Sequence, residues 1–528
     1  MKILPVEKIR EADAYTIEQE PISDIDLMER AAGMCFNWIY QHIPPLHTVK
    51  VIAGSGNNGG DGLAIARMLT EKDYRVEVFL AGDVDKLSRN CKINYDRLIA
   101  IRDQRHCDPE YSGEATGCAI TIMNDQSRPD DSRYPHPFRG GAGGGVLIDA
   151  LFGSGLTRPV SGFHADLIGD INEANALVVA IDVPSGLFID KTIKGEKEPV
   201  VIRADYTLTF APPKLAFFFP ENDPYIGEWV MLDIGLSETY IKQADVKNFM
   251  MTPASIKPLL QKRNTYAHKG NFGHALLICG GRGKMGAAVL AAKACLRAGP
   301  GLVTVRVPQS GVEILQTAVP EAMLTIDPDE QSYTVLPRLD GYTAVGIGPG
   351  IGLETVTANA FKHLIQEGMP MVIDADAITL LGENKTWLGF LPPGTILTPH
   401  PKEFERIAGK TANDFERNQR QRELSFKYSC YIILKGAHTA ITTPDGRCYF
   451  NATGNPGMAT GGSGDVLTGI LTGLLAQRYR PLEACLLAVY LHGLAGDLAA
   501  GSLGQEALIA GDIINQIGKA FLSLYGEL

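Results

Sequence analysis

The sequence predicts two successive α/β domains, each built on a parallel sheet with flanking helices. Three observations carry this. Short apolar runs ending in Gly or Asp alternate with helix-spaced segments, and the alternation starts afresh after a polar stretch near residue 246. The 57 glycines, about 11% of the chain against an average near 7%, gather where the apolar runs end.

The elements follow in order. Ile22, Ser23 and Asp24 read as a helix cap before Leu27, Met28, Ala31 and Ala32 at helical spacing. Val49–Ala53 reads as a buried strand, Gly54–Gly62 as a glycine loop, Leu63–Leu69 as a helix and Arg75–Leu80 as the next strand. Val146–Asp149 and Leu177–Asp182 are further apolar runs, each ending in Asp. Between Asp103 and Gly145 no periodicity lasts, and Asn124–Gly145 reads as a mobile surface insertion. The first series ends near Trp229–Gly235, and the polar stretch Leu236–Lys262 places a boundary between residues 245 and 246. The second series comprises strand His274–Cys279, glycine loop Gly280–Gly286, helix Ala287–Ala298 and strand Leu302–Val307. Further strands are expected at Ala344–Ile347, Met371–Asp374, Thr395–Thr398 and Tyr431–Leu434. The end of the chain reads as helical, with Val466, Leu467, Ile470, Leu471, Leu474 and Leu475 forming one apolar stripe after a glycine-rich turn.

Charge and composition exclude several functions. With 49 Lys+Arg against 60 Asp+Glu and a net charge of −11, no global basic field holds a nucleic acid or an anionic membrane, so any anionic ligand must be gripped locally. The nine cysteines are scattered without a C-x-x-C pair, which favours reduced thiols over disulfides or zinc. The N-terminus lacks the apolar core of a signal peptide, and no uncharged apolar run approaches a membrane span. A soluble cytoplasmic protein is expected.

Three corners of the first half carry chemistry. Gly54-Ser55-Gly56-Asn57-Asn58-Gly59-Gly60-Asp61-Gly62 follows a strand and opens a helix, where N–H groups favour anions. It lacks both the dinucleotide fingerprint and the Lys of a P-loop. Asp149, before Leu151-Phe152-Gly153-Ser154-Gly155-Leu156, and Asp182-Val183-Pro184-Ser185-Gly186 are the other two. Converging, these loops supply hard oxygens from Asn58, Asp149 and Ser185 that suit an alkali or alkaline-earth cation, while Asp182 stays free for acid–base work.

In the second half, Gly454-Asn455-Pro456-Gly457-Met458-Ala459-Thr460-Gly461-Gly462-Ser463-Gly464-Asp465 runs into the amphipathic helix. Its N–H groups form an anion hole, and Asp465 sits where a general base for a hydroxyl belongs; the logic is phosphoryl transfer. Lys435-Gly436-Ala437-His438-Thr439 ends a strand and offers a cation to nucleotide phosphates, although a surface hairpin is the competing reading. His400, in Thr398-Pro399-His400-Pro401, and the corners around Gly350 and Gly280–Ala288 complete the set.

At GNNGGDG, DALFGSGL and DVPSG the first half resembles the NAD(P)H-hydrate epimerase family over approximately residues 1–240. The resemblance implies a Rossmann-like three-layer domain over 1–245. Its hydrate site is lined by Asn57, Asn58, Gly59, Gly60, Asp61, Gly153, Ser154, Gly155, Leu156, Thr157, Arg158, Pro159 and the catalytic Asp182, with potassium at Asn58, Asp149 and Ser185. At NPGMATGGSGDVLTG, GPGIG, LTPHPKEFERI and LKGAH the second half resembles the NAD(P)H-hydrate dehydratase family, implying a ribokinase-like α/β domain over 246–528. There Ala288, Gly350, His400 and the catalytic Asp465 are implied to touch the hydrate, and Lys435, Gly436, Ala437, His438, Thr439 and Gly464 the AMP moiety. The joint expectation is repair of NADH hydrate and NADPH hydrate, by epimerisation of R and S forms and dehydration of the S form. ADP would yield AMP and phosphate with magnesium, in a homo-oligomer without nucleic acid or membrane. The alternatives are a ribokinase-like small-molecule kinase with a regulatory first domain, and a first half that only senses nucleotides or binds a protein.

Overall fold

The computed structural model describes residues 1–107, 118–123, 145–191 and 199–526. All but the last residue of the insertion read at 124–145 lies outside the described residues. The chain separates into one compact unit over Lys2–Val246 and another over Lys247–Leu528 together with Met1.

The first unit is a seven-stranded sheet with the order Cys118–Met123, Val76–Ala81, Val49–Gly54, Gly145–Ala150, Ala176–Ile181, Tyr206–Phe210, Glu228–Leu232. Every neighbouring pair is parallel. Such strands are covered on both faces and so read as continuous apolar runs. Val49, Val51 and Ala53 enter the core beneath the helices Asp24–His42 and Asn57–Glu71. Ile52 and Leu147 enter the opposite core, beneath the helix Phe163–Asn172. Ser23 caps Asp24–His42 in a reciprocal box with Asp26, as the sequence predicts. The chain runs outward from Val49–Gly54 to the edge and returns to pair Gly145–Ala150 on its other side, so the order reverses between these two strands. Crevices at such reversals, beyond the strand ends, are where open α/β sheets bind ligands.

The second unit repeats the device in a larger sheet. From Met323–Ile326 the order runs through Leu302–Val307, His274–Ile278, Ala344–Ile347, Met371–Ile373, Ile396–Leu397 and Tyr431–Leu434 in parallel. Two antiparallel steps add Ala440–Thr442 and Cys448–Phe450, and Asn248–Met250 pairs in parallel with the last of these. The polar stretch around the expected boundary therefore holds a strand that belongs to the second sheet. Helices Ser463–Ala476 and Met285–Ala298 cross at glycine: a Cβ on Gly469 would lie 2.2 Å from the Ala291 carbonyl oxygen. Helix Pro481–Leu503 is long and apolar enough to cross a membrane, but 67% of its apolar window is buried inside the unit, and it packs in the main core.

Two expectations about local structure change. The sequence places a loop over Gly54–Gly62 and a helix from Leu63, yet the helix begins at Asn57. Likewise the helix carrying the Val466–Leu475 stripe begins at Ser463 rather than Val466, and two more helices, Pro481–Leu503 and Ala510–Tyr525, follow it. Glycine disfavours helix by about 1 kcal/mol per residue, but close packing overrides it: a Cβ on Gly59 would lie 1.8 Å from the Gly54 carbonyl oxygen, and one on Gly62 2.5 Å from Ala150 Cβ. Strand Cys118–Met123 was not foreseen. It is an edge strand with three of its residues exposed, so it lacks the apolar continuity that marks the central ones.

Candidate functional sites at the two sheet reversals

Beyond the strand ends of the first sheet lies a cavity of about 940 Å³. Ser55–Asn58 and Asp61 line it from one loop and helix start, Leu151–Ser161 from the next loop, and Asp182 from a third. The three corners singled out in the sequence thus meet. Gly59 and Gly60 are the exception. They do not line the cavity but are buried where their helix packs, Gly59 on the Gly54 carbonyl and Gly60 on the Met28 side chain. Their requirement for glycine comes from packing.

At the strand end, Asp182 adopts a left-handed backbone with φ of 63°. Its Oδ1 lies 2.7 Å from Nζ of Lys214, whose side chain is only 2% exposed. Lys214 Nζ also donates to the Phe210 carbonyl oxygen at 2.6 Å, so a buried ion pair stands at the cavity wall. Asp13, from helix Val6–Gln19, shares the cavity. Burial, with the Asp182 charge adding to it, pushes its carboxyl up to about 6. Asp61 is buried, and burial holds its carboxyl well above the usual range. Sequence reasoning missed Lys214 and Asp13. Lys214 had a signal: it is the one cation in the apolar run Ala211–Phe219, and a buried cation needs a partner.

Behind the cavity loops, Asp149 is fully buried. Its Oδ1 accepts from Ser185 Oγ at 2.6 Å and from the Leu151 N–H at 3.2 Å, and its Oδ2 from the Ser185 N–H at 2.8 Å. Ser185 Oγ in turn accepts from the Phe152 N–H at 2.8 Å. Burial pushes the Asp149 carboxyl up to about 6 against these hydrogen bonds. Asn58 is buried with its Nδ2 unpartnered, and a Cβ on Gly153 would touch its side chain at 3.3 Å. Among the described residues no group of three His, Cys, Asp or Glu side chains forms a metal cluster. An oxygen site made of one carboxylate, a hydroxyl and carbonyls would be of another kind.

In the second unit, Asp465 stands in the first turn of Ser463–Ala476. Burial, then the nearby Asp374 charge, pushes its carboxyl up to about 6. Lys435 Nζ pairs with Asp374 Oδ1 at 2.8 Å, and Thr468 Oγ donates to Asp374 Oδ2 at 2.7 Å. Burial works against the Lys435 ammonium, but Asp374 outweighs it and the pKa lies above normal. A Cβ on Gly464 would sit 3.5 Å from Lys435 Nζ and 3.7 Å from Asp374 Oδ2, so Gly464, Asp465, Lys435 and Asp374 form one cluster. Asp374 follows the apolar strand Met371–Ile373, a strand-end position like those of Asp149 and Asp182. His492 Nε2 contacts the Ser463 carbonyl oxygen at 3.0 Å, and burial lowers its pKa to about 4.

The remaining residues divide. Lys435, Gly436, Ala437, His438 and Thr439 form the connection between antiparallel strands Tyr431–Leu434 and Ala440–Thr442, so the hairpin reading and the ligand-loop reading describe the same segment. Gly350 has a φ of 70° and packs on Lys284. His400 caps helix Pro401–Ala408: its Nδ1 accepts from the N–H groups of Lys402 and Glu403 at 3.1 and 3.3 Å, while its half-exposed ring faces Glu403 through Nε2. Ala288 is corrected. It is completely buried in the core beneath Gly280 and offers no surface to a ligand, whereas Ala287 is half-buried.

Comparisons with known proteins fall on the same two units. A family profile described as YjeF-related protein N-terminus matches residues 24–216, and one described as NAD(P)H-hydrate dehydratase matches 275–519. The bifunctional NAD(P)H-hydrate repair enzyme Nnr of Thermofilum pendens is 34% identical over 535 residues, covering 99% of this chain and 97% of that one. The protein of the same description from Coxiella burnetii is 35% identical over 514 residues, covering 96% of each. Among solved structures, an ADP/ATP-dependent NAD(P)H-hydrate dehydratase from Bacillus subtilis, co-crystallised with ATP and Mg2+, is 30% identical. It covers 52% of this chain and 98% of its own, with a TM-score of 0.47.

Proposed function

The chain belongs to the family of bifunctional NAD(P)H-hydrate repair enzymes, and on that premise we propose how its two units divide the work. The first epimerises R and S hydrates of NADH and NADPH. The second dehydrates the S form, taking a phosphoryl group from ADP and releasing AMP and phosphate. The observation that carries this division is that each sheet reversal gathers its own acid–base group, Asp182 paired with Lys214 in one and Asp465 beside Lys435 and Asp374 in the other.

In the first site, the loops around Asn57–Asp61 and Gly153–Pro159 hold the hydrate, and Asp182 exchanges protons with it. Potassium is assigned to Asn58, Asp149 and Ser185. The donor set supports this: Asp149 is a buried carboxylate with no cationic partner among the described residues, and oxygen ligands suit an alkali ion. Bound there, the ion would supply the positive charge that permits Asp149 to ionise.

In the second site, Asp465 accepts the proton of the ring hydroxyl as its oxygen attacks the terminal phosphorus of ADP. A carboxyl near 6 suits this task at neutral pH. Lys435 and the N–H groups at the start of Ser463–Ala476 face the phosphates, and Asp374 fixes the Lys435 ammonium. Magnesium, bound with the nucleotide, would supply further charge neutralisation. The ester then expels phosphate, a far better leaving group than hydroxide, as the ring nitrogen lone pair forms a C=N bond, and loss of a proton from the neighbouring ring carbon completes the dihydronicotinamide. His400, engaged as a helix cap, retains an exposed ring edge for the hydrate, and Lys435–Thr439 with Gly464 take the AMP moiety. We further assign the protein to the cytoplasm as a homo-oligomer.

The test supplies mixed hydrate epimers with ADP or ATP and follows recovery of dihydronicotinamide absorbance. Complete recovery is expected. Recovery of half identifies a dehydratase without epimerase, and none with either nucleotide rejects the proposal.

A further inference from the structure

Inverting the hydroxyl-bearing carbon of the hydrate poses a chemical problem that a single base does not solve. That carbon lies beside the ring nitrogen and carries no acidic C–H, so removing and returning its proton is not a route. Two others are open, ring opening at the C–N bond and exchange of the hydroxyl oxygen. In the second, the hydroxyl takes a proton and leaves as water with the C–O electron pair, the nitrogen lone pair forms a C=N bond, and water re-adds from the opposite face as a base takes its proton. The route needs an acid on one face and a base on the other.

The cavity holds both. Lys214 Nζ lies 2.7 Å from Asp182 Oδ1, so this carboxylate stands against a buried cation at the cavity wall. Asp13 comes from a different element, helix Val6–Gln19, and lines the same cavity. Among the described residues no hydrogen bond or ion pair occupies its side chain. The two environments differ in the way that separates an acid from a base in paired carboxylates. Asp13 has burial and the Asp182 charge against ionisation, whereas Asp182 has a cation in contact. Asp61 also lines the cavity but is buried where Asp13 is partly exposed, which leaves Asp13 the better placed of the two to exchange protons with cavity water. Arg10 and Asp24, the remaining charged cavity residues of the N-terminal helices, are more exposed than Asp13.

We propose that Asp13 is the general acid of epimerisation and Asp182 its partner base on the opposite face. The inference rests on the epimerase reading of the first unit. In an R-to-S turnover one proton passes from Asp13 to the departing hydroxyl and one from the entering water to Asp182, and the S-to-R turnover starts from the opposite protonation state with the two roles exchanged. The proton returns from Asp182 to Asp13 through cavity water, so the cycle needs no reactant besides water.

The test uses the full chain with purified R hydrate, and follows appearance of the S form and of solvent oxygen in H2-18O. The unaltered protein should epimerise well above the buffer rate and carry 18O into the hydroxyl. Asp13→Asn should slow epimerisation by roughly 10²–10⁴-fold with an unchanged melting transition, and Asp13→Glu should restore part of the rate. Asp13→Asn within threefold of the unaltered rate, or epimerisation without 18O incorporation, would overturn the inference. Failure of the unaltered chain to epimerise would instead reject the reading on which it rests.

Discussion

Replacing Lys214 with Met separates charge pairing from volume at the first site, because Met fills a similar space without the ammonium. Lys214 and Asp182 are 2% and 11% exposed and 2.7 Å apart. At an effective dielectric of ~20 their attraction is ~6 kcal/mol, but desolvation of both groups offsets part of it. Removing one partner of a buried pair costs ~3–5 kcal/mol, since the other charge is left uncompensated. In a unit of this size 1 kcal/mol shifts the midpoint by ~2–4 °C, so Lys214→Met should lower the first unit's thermal transition by ~6–20 °C. Scanning calorimetry of the full chain reads it, with dehydration of purified S hydrate as the control for the second unit. The double variant Lys214→Met with Asp182→Asn carries no orphaned charge and should regain most of the loss. A single variant melting within ~2 °C of the unaltered chain, or a double variant no better than the single, would refute the reasoning.

Three further outcomes are expected. Asp465→Asn should cut dehydration by roughly 10²–10⁴-fold while leaving epimerisation intact; in the unaltered chain the dehydration rate should climb as pH rises through about 6, where this base loses its proton, and level off above, and a flat profile between pH 5 and 7.5 would oppose the assignment. The Asp149 carboxyl is raised to about 6 in the folded state from ~3.9 unfolded, so its contribution to stability is full below pH ~4 and lost as pH rises through the folded value, ~3 kcal/mol in all without a bound cation; KCl should therefore raise the first unit's melting temperature more at pH 7 than at pH 5, an ion dependence that Asp149→Asn should abolish. Gly59→Ala should destabilise the first unit by ~1–3 kcal/mol or more, because its Cβ would meet the Gly54 carbonyl; an alanine variant that folds with unchanged stability and only a weaker substrate interaction would restore the ligand reading of that glycine.

What was legible in the sequence follows physical lines. Central parallel strands such as Val49–Gly54, Leu302–Val307 and Ala344–Ile347 are buried on both faces and announce themselves as apolar runs. The edge strand Cys118–Met123 is half solvated and gives no such signal. Asn58, Asp61, Asp149, Asp182 and Asp465 were found because each is a polar residue where a strand ends or a helix begins. Asp374 carries the same strand-end signal, and only its pairing with Lys435, 61 residues away, singles it out; Lys214 takes its meaning from Asp182, 32 residues away, and Asp13 from a cavity whose other walls lie far off in sequence. The glycines were located correctly but partly misread. In isolation a glycine does not reveal whether a ligand or another stretch of backbone fills the space of its missing side chain, and at Gly54, Gly59 and Gly469 it is backbone.

The left-handed backbone of Asp182 limits what that position can become. Only glycine, and to a lesser degree Asp and Asn, enter this region at low cost. Of these, only Asp carries a charge to match Lys214. The route by which the position could drift is therefore narrow: Glu adds strain and length, Ala adds strain and orphans a lysine, and Asn keeps the conformation but still orphans the lysine. The same geometry separates two experiments. Asp182→Asn changes the chemistry with the loop conformation preserved, whereas Asp182→Ala changes both at once.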